Sequence, residues 1–215
     1  MIWITISVLF CYLLGSIPAA VWTGKLFFGV DVRSQGSGNA GATNTFRVLG
    51  KKAGIFVLLF DVAKGWAAAS LAGVLLNNQI IESENLLFFK LVFGLLAVLG
   101  HVYPVFAGFK GGKGVATLLG MVFSISWLAG LICVGVFLVL FLIFHFVSVG
   151  SMAGGITFSG LLTSGFCGEA SVPAVVLSLF LCGMVIYTHR GNIKKLVAGT
   201  ENKMYFIKSG SSKAV

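Results

Sequence analysis

The chain has 215 residues, 58% of them hydrophobic and only 10% charged, with a mean hydropathy of +1.03. A soluble domain of this length needs a polar shell that such a composition cannot supply, so that class is excluded. The net charge of +9 collects in loops and in the tail; the chain reads as an all-α integral membrane protein, with residues 1–215 as one domain.

Met1-Ile2-Trp3-Ile4 carries no basic residue ahead of the first apolar run. A cleaved signal peptide starts with such residues, so 3–24 reads as a retained span. A polar loop, 29–52, follows. It contains Gly36-Ser37-Gly38-Asn39-Ala40-Gly41-Ala42-Thr43-Asn44 and then Arg47. The next span, 54–76, holds Asp61 and Lys64 near mid-depth. Each charge alone costs roughly 2.5–3.5 kcal/mol on insertion scales. Three residues apart on a helix they are neighbours, so they can pair inside the bundle. A pair that fixes helix packing and a proton or ion path are both open readings.

A third span, 86–108, ends in His101-Val102-Tyr103-Pro104, where Pro104 bends the helix. His101 reads either as a structural histidine or as a pocket residue. The second glycine string, Lys110-Gly111-Gly112-Lys113-Gly114, comes directly after. The apolar stretch 115–147 would be about 50 Å long as one helix, against a hydrocarbon core of about 30 Å. It reads as two short spans that break between 124 and 130, followed by another at 150–165. The last span, 172–188, runs into His189-Arg190-Gly191-Asn192-Ile193-Lys194-Lys195-Leu196 and then Gly199-Thr200-Glu201. His189 and Asn192 are three apart and are expected on one helix face at the membrane surface. Lys203, Lys208 and Lys213 read as anchors to lipid headgroups.

Charge asymmetry orients these spans. Lys25, Arg33, Arg47, Lys51, Lys52, Lys110, Lys113 and the basic tail fall on one side. Glu82, Glu84 and Glu169 fall in the opposite loops. The parity is satisfied by a seven-transmembrane-helix bundle with its N-terminus outside and its C-terminus cytoplasmic. Residues 145–151, and with them Ser151, then lie on the inner face.

Cys11, Cys133, Cys167 and Cys182 are scattered through apolar segments and read as buried hydrophobes. No grouping of His, Cys, Asp and Glu has metal-site spacing, so no metal or other cofactor is expected. Nucleic acid is not an expected partner, whereas membrane lipid is. The residues from Gly36 to Gly41 fit G-x-G-x-x-G, but that fingerprint belongs to a βαβ unit, and here it follows a membrane helix. The second string is one residue short of a Walker loop, and Gly114 stands where Ser or Thr would hold magnesium. What survives is the physics of both motifs. Glycines let backbone N–H groups converge on an anion, and the Arg47 fork and the Lys113 charge suit phosphate. Lys113 also stands just before a helix, whose N-terminus favours negative charge.

The three clusters, in this order, resemble the bacterial acyl-phosphate:glycerol-3-phosphate acyltransferase family (PlsY). Its patterns are similar to GSGNxGATN, HxYP followed by KGGKG, and HRxNIxRLxxGxE. Lys195 stands where the last pattern usually has Arg, which keeps the charge and loses the bidentate fork. The resemblance implies transfer of a fatty acyl group from acyl phosphate to the 1-hydroxyl of glycerol 3-phosphate at the bacterial inner membrane. It implies Ser37, His189 and Asn192 nearest the reacting groups. Gly36, Gly38, Asn39, Gly41, Thr43, Asn44, Arg47, Gly112, Lys113, Ser151 and Glu201 are expected to bind substrate. Five residues after His101, His145 and His189 stand Phe106, Gly150 and Lys194, so the His-x4-Asp motif of other glycerolipid acyltransferases is missing. An acyl phosphate is already activated, and direct transfer without an acyl-enzyme is the expected route. The competing reading is a transporter or exchanger of a phosphate-bearing solute. It needs a site near midplane between repeats, and no internal repeat is present.

Overall fold

A computed structural model describes residues 1–205. Lys208 and Lys213 lie outside the described residues. Among the described residues regular structure is entirely helical: α1 (Ile2–Gly15), α2 (Ala19–Phe28), α3 (Ala42–Leu49), α4 (Lys51–Asn77), α5 (Leu86–Val102), α6 (Val115–Ile125), α7 (Trp127–Phe144), α8 (Val147–Thr163), α9 (Val172–Thr188) and α10 (Arg190–Val197). Three stretches are long and apolar enough to cross a bilayer alone, Lys51–Asn77, Ser83–Ala107 and Trp127–Phe144; two bent pairs, α1 with α2 and α9 with α10, raise the number to five.

The breaks have local causes. The expected first span, 3–24, is two helices at 44°. Pro18 has no N–H, and it drives Ile17 out of helical geometry. The Ile17 carbonyl, at the break, accepts hydrogen bonds from the Ala19 N–H at 3.1 Å and from Lys64 Nζ at 3.0 Å. The α-helix of the third span stops at Val102, two residues before Pro104, and a short 3-10 turn carries the stretch to Ala107. The long apolar stretch does break in the expected interval, at Ser126, which is extended and caps α7 by accepting from the Ala129 N–H at 3.2 Å. With 11 residues α6 spans about 16 Å, well short of the bilayer core. Its C-terminal carbonyls therefore need partners inside the bundle. Lys90 Nζ donates to the Ser124 carbonyl at 2.5 Å, and the Ser70 and Ser124 hydroxyls lie 3.0 Å apart.

Small residues set the packing. A Cβ on Gly65 would strike the Thr117 backbone, and one on Gly120 would strike the Val62 carbonyl, so α4 and α6 touch backbone to backbone. Gly15 and Gly100 bring α1 and α5 together in the same way, against Ala97 and Tyr12. Lipid tails give helices no hydrophobic reason to associate, so close contact of this kind carries the packing. Large apolar side chains such as Leu9, Leu59, Leu142 and Ile143 face outward.

Asp61 and Lys64 pair as expected, Nζ to Oδ1 at 2.8 Å, both side chains 2% exposed. His101 Nδ1 lies 3.3 Å from the same oxygen. The four cysteines are free, and only Cys11 and Cys133 are buried.

Candidate active site

The first glycine string folds around Asn44. Its Oδ1 accepts from the Ser37 N–H at 2.8 Å, and its Nδ2 donates to the Val32 and Gln35 carbonyls at 2.7 and 3.1 Å. Asn44 is 1% exposed, so its amide is committed to shaping the loop. Gly36 has φ 61°, a left-handed conformation, and a Cβ there would strike the Asn44 amide oxygen. Gly38 is also left-handed. Gly41 begins α3 as its N-cap, Asn39 and Thr43 are half-buried beside it, and Ser37 is exposed.

Arg33, which the sequence reading used only for orientation, ties this loop to the second one. Its Nε and Nη2 donate to the Asp31 carboxylate at 3.0 and 2.7 Å, and its Nη1 donates to the Ala107 carbonyl at 2.8 Å. These bonds hold the Asp31 carboxyl well below the usual carboxylate range and raise Arg33. A pocket of about 610 Å³ opens between the two loops, lined by Arg33, Ser34, Gly38, Lys110 and Gly111 among others.

The second string hangs from the end of α5. The Gly111 and Gly112 N–H groups donate to the Val102 and His101 carbonyls at 3.2 and 3.1 Å. Gly112 rests on the His101 ring, where a Cβ would not fit. The turn ends at Gly114 (φ 83°), the N-cap of α6. Lys113 is thereby aimed at the third cluster.

There the helix does not run through. It ends at Thr188, bends by 55°, and restarts at Arg190. His189 and Asn192 therefore lie across a break and not on one continuous helix face. Lys113 Nζ donates to Asn192 Oδ1. Asn192 Nδ2 donates to Glu201 Oε1 at 2.5 Å, and the Ser148 hydroxyl reaches the same oxygen at 3.4 Å. The Thr188 hydroxyl donates to the Lys113 carbonyl at 3.2 Å. The segment carrying Glu201 is anchored where α7 meets α8, by the Met204 N–H on the His145 carbonyl at 2.9 Å and by the His145 and Tyr205 rings 4.7 Å apart.

His189 is 2% exposed, and its Nδ1 lies 2.8 Å from the Val185 carbonyl. Nδ1–H donates there, which leaves Nε2 as an acceptor. Burial, and then the nearby Lys113 charge, push its pKa down to about 4. Burial pushes Lys113 down to about 8; Glu201 opposes this, and Arg47 and Lys195 reinforce it.

The structure thus joins Lys113, Asn192 and Glu201 directly, with His189 and Arg47 within electrostatic reach. Arg47 also donates to the Asn202 carbonyl at 3.3 Å. Among the described residues no hydrogen bond links Ser37, Asn39 or Thr43 to this group. Ser151 is buried on α8, three residues from Ser148. Ser148 went unnoticed in the sequence, and its signal was its position within the inner-face interval 145–151. A second pocket, about 350 Å³ and almost wholly apolar, lies between α5 and α9 and is bounded by Leu99, Tyr103, Phe180, Gly183, Met184 and Tyr187. It reaches to within one residue of Thr188. No group of three His, Cys, Asp or Glu side chains among the described residues could hold a metal ion.

An all-helical apolar bundle with a cationic, glycine-bordered polar site at the end of its helices defines a membrane protein that handles an anionic group beside lipid. A family model described as glycerol-3-phosphate acyltransferase matches residues 5–199, and the chain belongs to that family. Its sequence is 42% identical to glycerol-3-phosphate acyltransferase of Chlorobaculum tepidum, over 91% of this chain and 94% of that protein. It is 42% identical to that of Macrococcus caseolyticus, over 95% and 99%. The fold is similar to that of crystallised PlsY, an integral membrane glycerol 3-phosphate acyltransferase, in its glycerol 3-phosphate form, with a TM-score of 0.82, 40% identity, and coverage of 94% of this chain and 96% of that one. The lysophosphatidic acid form of PlsY matches with a TM-score of 0.80. The chain is an integral membrane acyltransferase with bacterial relatives.

Proposed function

We propose that this chain transfers a fatty acyl group from acyl phosphate to the 1-hydroxyl of sn-glycerol 3-phosphate, giving lysophosphatidic acid and inorganic phosphate. The observation that carries this reading is the Lys113–Asn192–Glu201 relay beside a neutral, buried His189. Lys113 and Arg47 supply charge for a substrate phosphate. His189 Nε2 accepts the proton of the attacking hydroxyl. The hydroxyl oxygen bonds to the acyl carbon, the bond from that carbon to the phosphate oxygen breaks, and phosphate leaves with the electron pair. The Ser37 hydroxyl and the N–H groups at the start of α3, beside Gly41, serve as donors to the developing oxyanion. Ser37 acts as a donor, and no acyl-enzyme forms. The apolar groove between α5 and α9 takes the acyl chain, since it ends beside Thr188 and hence beside Lys113.

We read seven membrane-embedded segments: three long stretches, two bent pairs and the shorter apolar helices α6 and α8, of which α6 alone falls well short of the core. With the basic loops inside, the N-terminus is outside and the site faces the cytoplasm at the bacterial inner membrane. The protein works as a single domain.

The test is purified protein in detergent, given acyl phosphate and glycerol 3-phosphate without metal, with phosphate and lysophosphatidic acid measured together. Equal amounts of both products are expected. No turnover, together with solute uptake by protein-containing liposomes, would favour the transporter instead. Radiolabelled acyl group retained on Ser37 would overturn direct transfer.

A further inference from the structure

The buried trio Asp61, Lys64 and His101 lies outside the reaction just described. All three are 7% exposed or less, and charges at that depth in a bundle are costly unless they perform a task. Their contacts form one line. Lys64 donates to the Ile17 carbonyl at the α1–α2 break and pairs with Asp61 Oδ1. The same oxygen faces His101 Nδ1 at 3.3 Å. The other edge of that imidazole is the floor under Gly112: a Cβ at Gly112 would overlap Nε2. Next in the chain is Lys113.

We infer that Asp61, with Lys64 behind it, fixes the His101 ring as a platform that sets the height and direction of the Lys110–Gly114 turn, and so aims the Lys113 ammonium at Asn192 and at substrate phosphate. The inference rests on the proposed role of Lys113. His101 and Asp61 are positioning residues, because neither touches Asn192 or Glu201. The geometry favours this over a proton path. Lys64 ends on a backbone carbonyl of the α1–α2 break rather than on a further titratable group. The glycine at 112 also has a reason in this arrangement, since backbone must lie flat on the ring. Displacing a catalytic group by about 1 Å can cost about a hundredfold in rate, so a platform of this kind repays its buried charge.

The test uses full-length protein in detergent and two variants, His101→Leu and the neutral pair Asp61→Asn with Lys64→Met. The second variant leaves no unpaired buried charge, so it keeps the question answerable if the first does not fold. Lys113 is labelled with acetic anhydride across pH and quantified by mass spectrometry, against the exposed Lys194 as an internal reference. In the native protein half-reactivity is expected near pH 8, because burial holds the amine there. In a folded variant the Lys113 midpoint moves up toward the ordinary lysine range, Lys194 does not change, and KM for glycerol 3-phosphate rises about tenfold or more with a smaller change in kcat. An unchanged Lys113 profile in a folded variant overturns the inference, whatever happens to KM. A shifted profile with native KM supports the platform and removes Lys113 from phosphate binding, so the two readings fail separately.

Discussion

Lys113 donates a hydrogen bond to the side-chain oxygen of Asn192, 79 residues further along the chain. That bond joins the second glycine string to the short helix after the last span. Both ends of the Asn192 amide are engaged, its oxygen on a cation and its nitrogen on the Glu201 carboxylate.

Asn192→Leu removes both bonds at nearly constant volume. Hydrogen bonds to charged groups contribute about 1.5–3 kcal/mol each. A fall in kcat/KM of at least about tenfold is therefore expected, together with a lower melting temperature. Steady-state kinetics beside a thermal melt checks this.

The alkaline limb of activity belongs to Lys113. Its folded pKa of about 8 lies below the ordinary lysine value, so its charge is lost as pH rises through 8. KM for glycerol 3-phosphate should climb over that range. Glu201 holds the charge on Lys113, so Glu201→Gln lowers its pKa further and brings the climb to a lower pH. Lys113→Arg should abolish the limb, since guanidinium stays charged. No limb from His189 is expected between pH 5 and 7, because burial keeps it neutral down to about 4.

Asn44→Ala removes three hydrogen bonds from a 1% exposed position and leaves the Val32 and Gln35 carbonyls and the Ser37 N–H without that partner. An unsatisfied buried group costs about 1–3 kcal/mol. A fall in melting temperature and loss of activity together are expected. Ser37→Ala, at an exposed position, should lower kcat and leave the melt unchanged.

The groove between α5 and α9 predicts a chain-length effect. A Cβ at Gly183 meets nothing within 4 Å. Gly183→Leu therefore fills the groove without displacing backbone, and kcat/KM for palmitoyl phosphate should fall relative to decanoyl phosphate. Competition between the two donors measures it directly.

Much of this site was legible in the chain because its parts are local. The glycine strings, the His189–Asn192 pair, the Asp61–Lys64 spacing and the break near Ser126 each declare themselves within a few residues. What was not legible depends on distant partners. Nothing near Arg33 in sequence announces the Ala107 carbonyl, and nothing near Asp61 announces His101, 40 residues on. The helix break at His189 was also hidden, since His189-Arg190-Gly191-Asn192 contains no proline. Asn44 looked like a ligand contact for the same reason: its short polar side chain suits an anion and a loop carbonyl equally, and only the folded loop discriminates.

Glu201 follows α10, and the segment bearing it is hooked back onto the junction of α7 and α8 through Met204 and His145. The last carboxylate of the Lys113–Asn192–Glu201 set is therefore contributed by residues that follow every described helix. A chain shortened before Glu201 would keep the sequence of every described helix and lose the carboxylate that accepts from Asn192.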